Sequence, residues 1–278
     1  MRTLHIDIET FSSIDIKKSG LYKYVQSPDF EILLFAYAYD NEPVQLVDCL
    51  CGESIPAQTI RDLSDPGVIK VAHNAAFEFY ALSKFYRTYL AQWRCTMIHA
   101  LYCGFPGSLA GVGEAMNFHE DKKKMGIGKA LIKYFCVPCA ATKANGGRTR
   151  NYPRHNPAKW ELFKSYNLQD VITEREIYQR LLCYPVPEQE WENWRLDQMI
   201  NIGGTALDLE LVNSALAISD QIREELSEKA KSLTGLDNPN SVAQLKGWIE
   251  SNSGLEIESL NKATVAEILS GDPEDGIR

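Results

Sequence analysis

The 278-residue chain has no apolar run approaching the about 20 residues that a membrane-spanning helix needs. Its start, MRTLHIDIET, turns acidic too early for a secretory signal. Basic residues are outnumbered, 29 against 37 acidic ones, and the formal net charge of −8 argues against a protein that coats nucleic acid by charge alone. The lone CVPC at 136–139 has no second C-x-x-C to complete a four-cysteine zinc site. The seven cysteines, including the pairs Cys49/Cys51 and Cys136/Cys139, read most simply as reduced thiols of a cytoplasmic protein. There is no internal repeat and no low-complexity tract. An acidic balance leaves room for an enzyme whose acids gather round metal ions, because bound cations reverse the local sign.

What is present is ordinary globular composition, 45% hydrophobic and 24% charged, enough for one large domain or two smaller ones. LHIDIE at 4–9 alternates strictly between apolar and polar residues, which predicts a β-strand with Asp7 and Glu9 on one face. Two runs rich in β-branched and aromatic residues, 30–40 and 43–50, meet at DNEP and predict a hairpin. VIKVAHN at 68–74 reads as a further strand, followed by a helix over 75–93 with Asn74 as its cap, and RCTMI at 94–98 as another short strand. Residues 139–156 carry Gly, Pro, Asn and Arg without periodicity and read as a loop. A long helix is predicted from Pro157 to residue 182, with Asn156 at its N-cap. The prolines of CYPVPEQE at 183–190 mark a boundary, after which the pattern is mostly helical, with Trp191 and Trp194 as core residues. This places an α/β or α+β domain over 1–184 and a helical segment over 185–278.

Three further acids or acid partners stand out. Tyr166 and Asp170 are four apart and share a helix face, which alone also describes a half-buried tyrosine beside a surface acid. Glu78 lies one turn into its helix, where the dipole favours an acid. Its neighbours Phe77 and Phe79 fit a partly buried position, at which an unpaired carboxylate is costly.

The set resembles the DEDD exonucleases of the ribonuclease H-like fold, in the subclass with tyrosine in its third motif. The first motif, Asp-x-Glu, matches DIET with Asp7 and Glu9. The second matches NAAFE with Asn74, Phe77 and Glu78, except that glutamate stands where the family has aspartate. The third, Tyr-x-x-x-Asp, matches YNLQD with Tyr166 and Asp170. The chain is also similar, strongly to about residue 216, to the N-terminal part of a phage or prophage family A DNA polymerase. DQMINIGGTALDLELV resembles the entry to the polymerase thumb and LDNPNSVAQLKGWIE a segment of its tip, while nothing resembles the finger and palm motifs, so no polymerase activity is expected.

The resemblance implies a mixed sheet, three antiparallel strands then parallel ones, flanked by helices. It implies a 3′-to-5′ exonuclease that hydrolyses single-stranded DNA ends to nucleoside 5′-monophosphates, as in proofreading, with two Mg²⁺ or Mn²⁺ ions. Asp7 would bridge both ions, Glu9 and Asp170 would hold the one nearer the attacking water, Glu78 would serve the other, and Tyr166 would orient the water. Thr10, Phe11, Asn74 and Arg154 are the candidate strand contacts, with Phe11 stacking on a base. Arg148, Arg150 and His155 flank the same loop, Lys122, Lys123 and Lys124 read as a solvated basic face, and His5 as a neighbour of the site. A separate polymerase portion is the implied partner. Two alternatives stay open: an inactive exonuclease-like scaffold, and an RNA 3′ exonuclease.

Overall fold

The computed structural model describes residues 2–119, 126–254 and 256–270. Lys122, Lys123 and Lys124 lie outside them. The strands are β1 (Arg2–Phe11), β2 (Glu31–Tyr39), β3 (Gln45–Val47), β4 (Val68–Ala72) and β5 (Trp93–Cys95). The helices of the first part are α1 (Ile16–Gln26), α2 (Ala57–Ser64), α3 (Ala76–Ser83), α4 (Thr96–Tyr102), α5 (Leu109–Ala115), α6 (Gly128–Phe135), α7 (Pro157–Leu181) and α8 (Glu188–Gly203). They are followed by α9 (Leu209–Thr234), α10 (Val242–Ser253) and α11 (Lys262–Ser270).

The strands form one sheet in the order β3-β2-β1-β4-β5. β3, β2 and β1 run antiparallel, and β4 and β5 run parallel to β1. This is the ribonuclease H-like mixed sheet that the resemblance implies. The alternation read in β1 sorts its side chains onto two faces. Leu4, Ile6 and Ile8 join Phe35, Tyr37 and Tyr39 of β2 in a core that also holds Leu63 of α2 and Leu82 of α3. On the opposite face α7 crosses the sheet. There β2 offers alanines: Ala38 pairs with His5 and Ala36 with Asp7, and both pack against Val171. Two methyl-sized side chains at this crossing let a helix lie close to the strand.

Several local features explain the element ends. Asn156 caps α7 by accepting from Lys159 N at 3.0 Å, with Pro157 in the first turn, as the sequence indicates. α1 is kinked at Gly20, whose φ of +78° suits glycine. The helix expected over 75–93 stops at Ser83, where the Phe85 and Tyr86 amides close onto the Leu82 carbonyl and Tyr86 and Leu90 fold back on the core. Asn74 does not cap it: its backbone is left-handed, φ +67°, and the helix starts after Ala75 without a side-chain cap.

The chain separates into two compact units, Met1–Gly204 and Thr205–Arg278, where the sequence suggests a break at 184/185. α8 belongs to the first unit because Trp191 and Trp194 are buried in its core, the role read for them in the sequence. In the second unit α9 starts on an Asp208 cap and ends at Gly235, and none of its side chains is buried.

Candidate active site

The polar face of β1 meets a polar row on α7. The buried face of α7 runs through Phe163, Tyr166, Asn167, Asp170, Val171, Glu174 and Ile177, the i, i+3, i+4, i+7 spacing of one helix side. Three of these are polar where a core stripe would be apolar, and each finds β1. Glu174 Oε2 lies 2.7 Å from His5 Nδ1, with both residues almost fully buried. Asn167 donates from Nδ2 to the Asp7 carboxylate at 2.6 Å and to the Asp7 carbonyl at 3.2 Å. Asp170 completes the seam: one oxygen from each of Asp7, Glu9 and Asp170 lies within 4.8 Å of the others, close enough to share a metal ion.

A shift of register between Glu9 and Thr10 interrupts the pairing of β1 with β2 beside this cluster, and pairing resumes with Thr10 opposite Ile32. Such an irregularity re-aims neighbouring side chains. Glu9 Oε2 receives the thiol of Cys136, 3.7 Å away, at the end of α6. Burial, with the Glu9 charge beside it, pushes the Cys136 thiol far up, so it stays a donor.

The cluster lines a groove of about 760 Å³ that Glu78, Tyr166, Asn74, Thr10, Lys129 and Lys133 also line. Glu78 is buried, and among the described residues its Oε2 has no hydrogen-bond partner and it stands outside the three-carboxylate set. Desolvation, and then the charge of Asp7, hold its carboxyl well above the usual range. Tyr166 is buried with its ring stacked on Phe163, 6.1 Å between centroids. Desolvation, then the charges of Asp170, Glu9 and Asp7, push its phenol beyond any working pH, so it remains an O–H donor. Its other side is closed by Gly128: a Cβ there would stand 2.2 Å from the Tyr166 ring.

No protein-family model matches the chain. All of it is 48% identical, over 279 aligned positions, to the DNA polymerase of Bacillus phage SP02, of which it spans 43%. The chain is similar throughout to part of a phage DNA polymerase. Among solved structures, this polymerase-related chain is loosely similar to Escherichia coli RNase D, an exoribonuclease involved in structured RNA processing. The identity is 14%, the TM-score 0.38, and the match covers 71% of this chain and 44% of that one. Brucella melitensis NrnC gives 11% identity and a TM-score of 0.36, covering 64% and 71%. These likenesses add no weight to the geometry above.

In the polymerase-related chain, five expected residues, Asp7, Glu9, Glu78, Tyr166 and Asp170, line the one groove. Asn74 and Thr10 line it too, Asn74 exposed and Thr10 buried with its hydroxyl against Tyr24 Oη at 2.9 Å. Phe11 does not. Its ring is buried with Phe163 and Tyr166, and the Arg150 guanidinium covers it at 3.8 Å, leaving no face for a base. Arg154 lies over Tyr152, away from the groove lining. Arg148 bonds to Asn151 and Asn145, and Arg150 to Glu31, so the arginine loop is engaged with its own surroundings. His5 is held by Glu174 and lies outside the three-carboxylate set. Sequence reading missed Asn167, Gly128, Cys136 and the groove lysines. Asn167 carries a legible signal, being a polar residue on the core stripe of α7.

Proposed function

We propose that this chain is a metal-dependent 3′-to-5′ exonuclease that releases nucleoside 5′-monophosphates from single-stranded DNA ends, the proofreading portion of a polymerase. The observation that carries the reading is the convergence of Asp7, Glu9 and Asp170 within 4.8 Å in a groove that Glu78 and Tyr166 also line. Carboxylates this close repel unless cations lie among them.

The residues fit such cations. The donors are hard oxygens, which select Mg²⁺ or Mn²⁺ over zinc. Asp7, Glu9 and Asp170 would hold one ion, and Glu78, whose Oε2 has no hydrogen-bond partner among the described residues, would with Asp7 hold a second. When bound, the ions would polarise the scissile phosphodiester and lower the pKa of an attacking water. The chain's own groups do the positioning. Asn167 donates to one carboxylate oxygen of Asp7, which lines the groove, and so fixes that side chain. Cys136 restrains Glu9 from α6. Tyr166 keeps its proton and can orient a water by hydrogen bonding. Asn74, whose side chain makes no hydrogen bond among the described residues, is available to the strand, and Thr10 lies beside it in the lining.

Digestion of a 5′-labelled single-stranded DNA oligomer tests the direction of attack. A ladder shortening from the 3′ end is expected, whereas immediate release of the label as a mononucleotide would contradict it. A matched RNA oligomer, degraded in parallel, decides between DNA and RNA.

A further inference from the structure

The five acids that line the groove, Asp7, Glu9, Asp15, Glu78 and Asp170, favour cations and oppose a polyanion. Bound ions would offset this at the scissile phosphate alone, so the next phosphates of a strand need cations of the protein. Lys129 and Lys133 of α6 and Lys17 of α1 line the same groove. All three are exposed, and none is in an ion pair among the described residues. They contrast with the arginines of the 148–154 loop, whose guanidinium groups are taken up by Asn151, Glu31, Phe11 and Tyr152. Lys129 and Lys133 are one helical turn apart, about 5–6 Å between their Cβ atoms, which suits neighbouring phosphates of an extended single strand. The platform is firm, because Leu131 and Phe135 on the other face of α6 are buried against Trp160 and Phe163.

We infer that Lys129 and Lys133, joined by Lys17, hold the phosphates behind the scissile one and thereby make the groove select a polynucleotide over a single nucleotide ester. The inference rests on the nuclease reading above. It replaces the arginine loop as the electrostatic contact to the strand.

The test is the Lys129→Gln/Lys133→Gln double variant, compared with wild type on a single-stranded DNA oligomer and on the 4-nitrophenyl ester of a nucleoside 5′-monophosphate, both with Mn²⁺. Loss of kcat/KM is expected to be at least tenfold greater for the oligomer, mainly through KM. Each lost contact should also flatten the slope of log affinity against log salt by about 0.7, as for single strands. Equal losses on the two substrates, or an unchanged KM and salt slope for the oligomer, would overturn the inference. Absence of metal-dependent hydrolysis by the wild type would instead overturn the nuclease reading. Oligomer binding followed by fluorescence anisotropy then still decides the lysines, since an unchanged Kd and salt slope in the double variant would count against them.

Discussion

Asn167 Nδ2 lies 2.6 Å from the Asp7 carboxylate and 3.2 Å from the Asp7 carbonyl, so one amide grips a side chain and its own main chain. Asn167 is fully buried on α7, and this grip couples the helix that carries Asp170 to the strand that carries Asp7. Replacing Asn167 with Leu keeps the volume and removes the grip. Activity is expected to fall about 10–100-fold, the usual effect of a partner behind a metal ligand, with more metal needed for half-maximal rate. Asn167→Asp, which sets a carboxylate against Asp7, is expected to do worse. A metal titration of the hydrolysis rate reads both, and unchanged metal dependence in Asn167→Leu would contradict the role.

Gly128 faces Tyr166 at a distance that no side chain fits. Gly128→Ala is expected to push the phenol out of place and reduce kcat to near the level of Tyr166→Phe, while the far-ultraviolet spectrum is retained. The two changes should not add: the double variant is expected to be no slower than the worse single one, because both remove the same hydroxyl contact. Additive losses would show that Gly128 acts elsewhere.

Which parts of this were legible in the sequence follows from the range of each signal. Asp7 and Glu9 show through the period-two pattern of β1, and Tyr166 with Asp170 through spacing on one helix. Both are local. Asn167, Gly128 and Cys136 matter only because α7 crosses the sheet at Ala36 and Ala38 of β2, beside β1, and α6 closes over Tyr166, and no local pattern states which helix packs where. Phe11 misleads for the same reason. It continues the strand beyond Glu9, but its ring packs into the core with Phe163 and Tyr166 beneath Arg150. The break at Gly204 was hidden because the prolines before α8 look like a boundary, whereas burial of Trp191 and Trp194 attaches that helix to the first unit.

Lys70 is a pH-sensitive part of the scaffold outside the groove lining. Its buried ammonium donates to the carbonyls of Val68, Asp65 and Asp62 at 2.9, 3.2 and 3.3 Å and to Gln92 Oε1 at 2.8 Å. Desolvation pushes its pKa down to about 8. The unfolded chain, near 10.4, binds the proton more tightly, so between about pH 8 and 10.4 the stability contributed by Lys70 rises with pH. Below that window the full burial penalty is present. Lys70→Met leaves the acceptors unpartnered and is expected to cost about 1–3 kcal/mol at neutral pH. The stability gap between wild type and Lys70→Met should widen from about pH 7.5 to pH 10 in urea melts. A constant gap would contradict the shift.

Metal should stabilise the fold by linkage. At about 100 times Kd, one bound ion adds about 2.7 kcal/mol, which a thermal melt registers as a rise in Tm. Wild type is expected to show that rise with Mg²⁺ or Mn²⁺, and Asp7→Ala is not. Glu78→Gln matches the neutral form that burial favours. It should leave the metal-free protein at least as stable as wild type while weakening the metal response. A Glu78→Gln variant with an unaltered metal response would remove Glu78 from the site.

The central claim is that three converging carboxylates make this a metal-dependent nuclease. Its most direct measurement is the rate of shortening of a 5′-labelled single-stranded DNA oligomer across a Mg²⁺ or Mn²⁺ titration, for wild type and Asp7→Ala. The account predicts a ladder from the 3′ end that appears only with metal and is lost in the variant. Well-folded wild type that leaves the oligomer intact with either metal, or an Asp7→Ala protein that degrades it equally well, would contradict the claim and favour an exonuclease-like scaffold without activity.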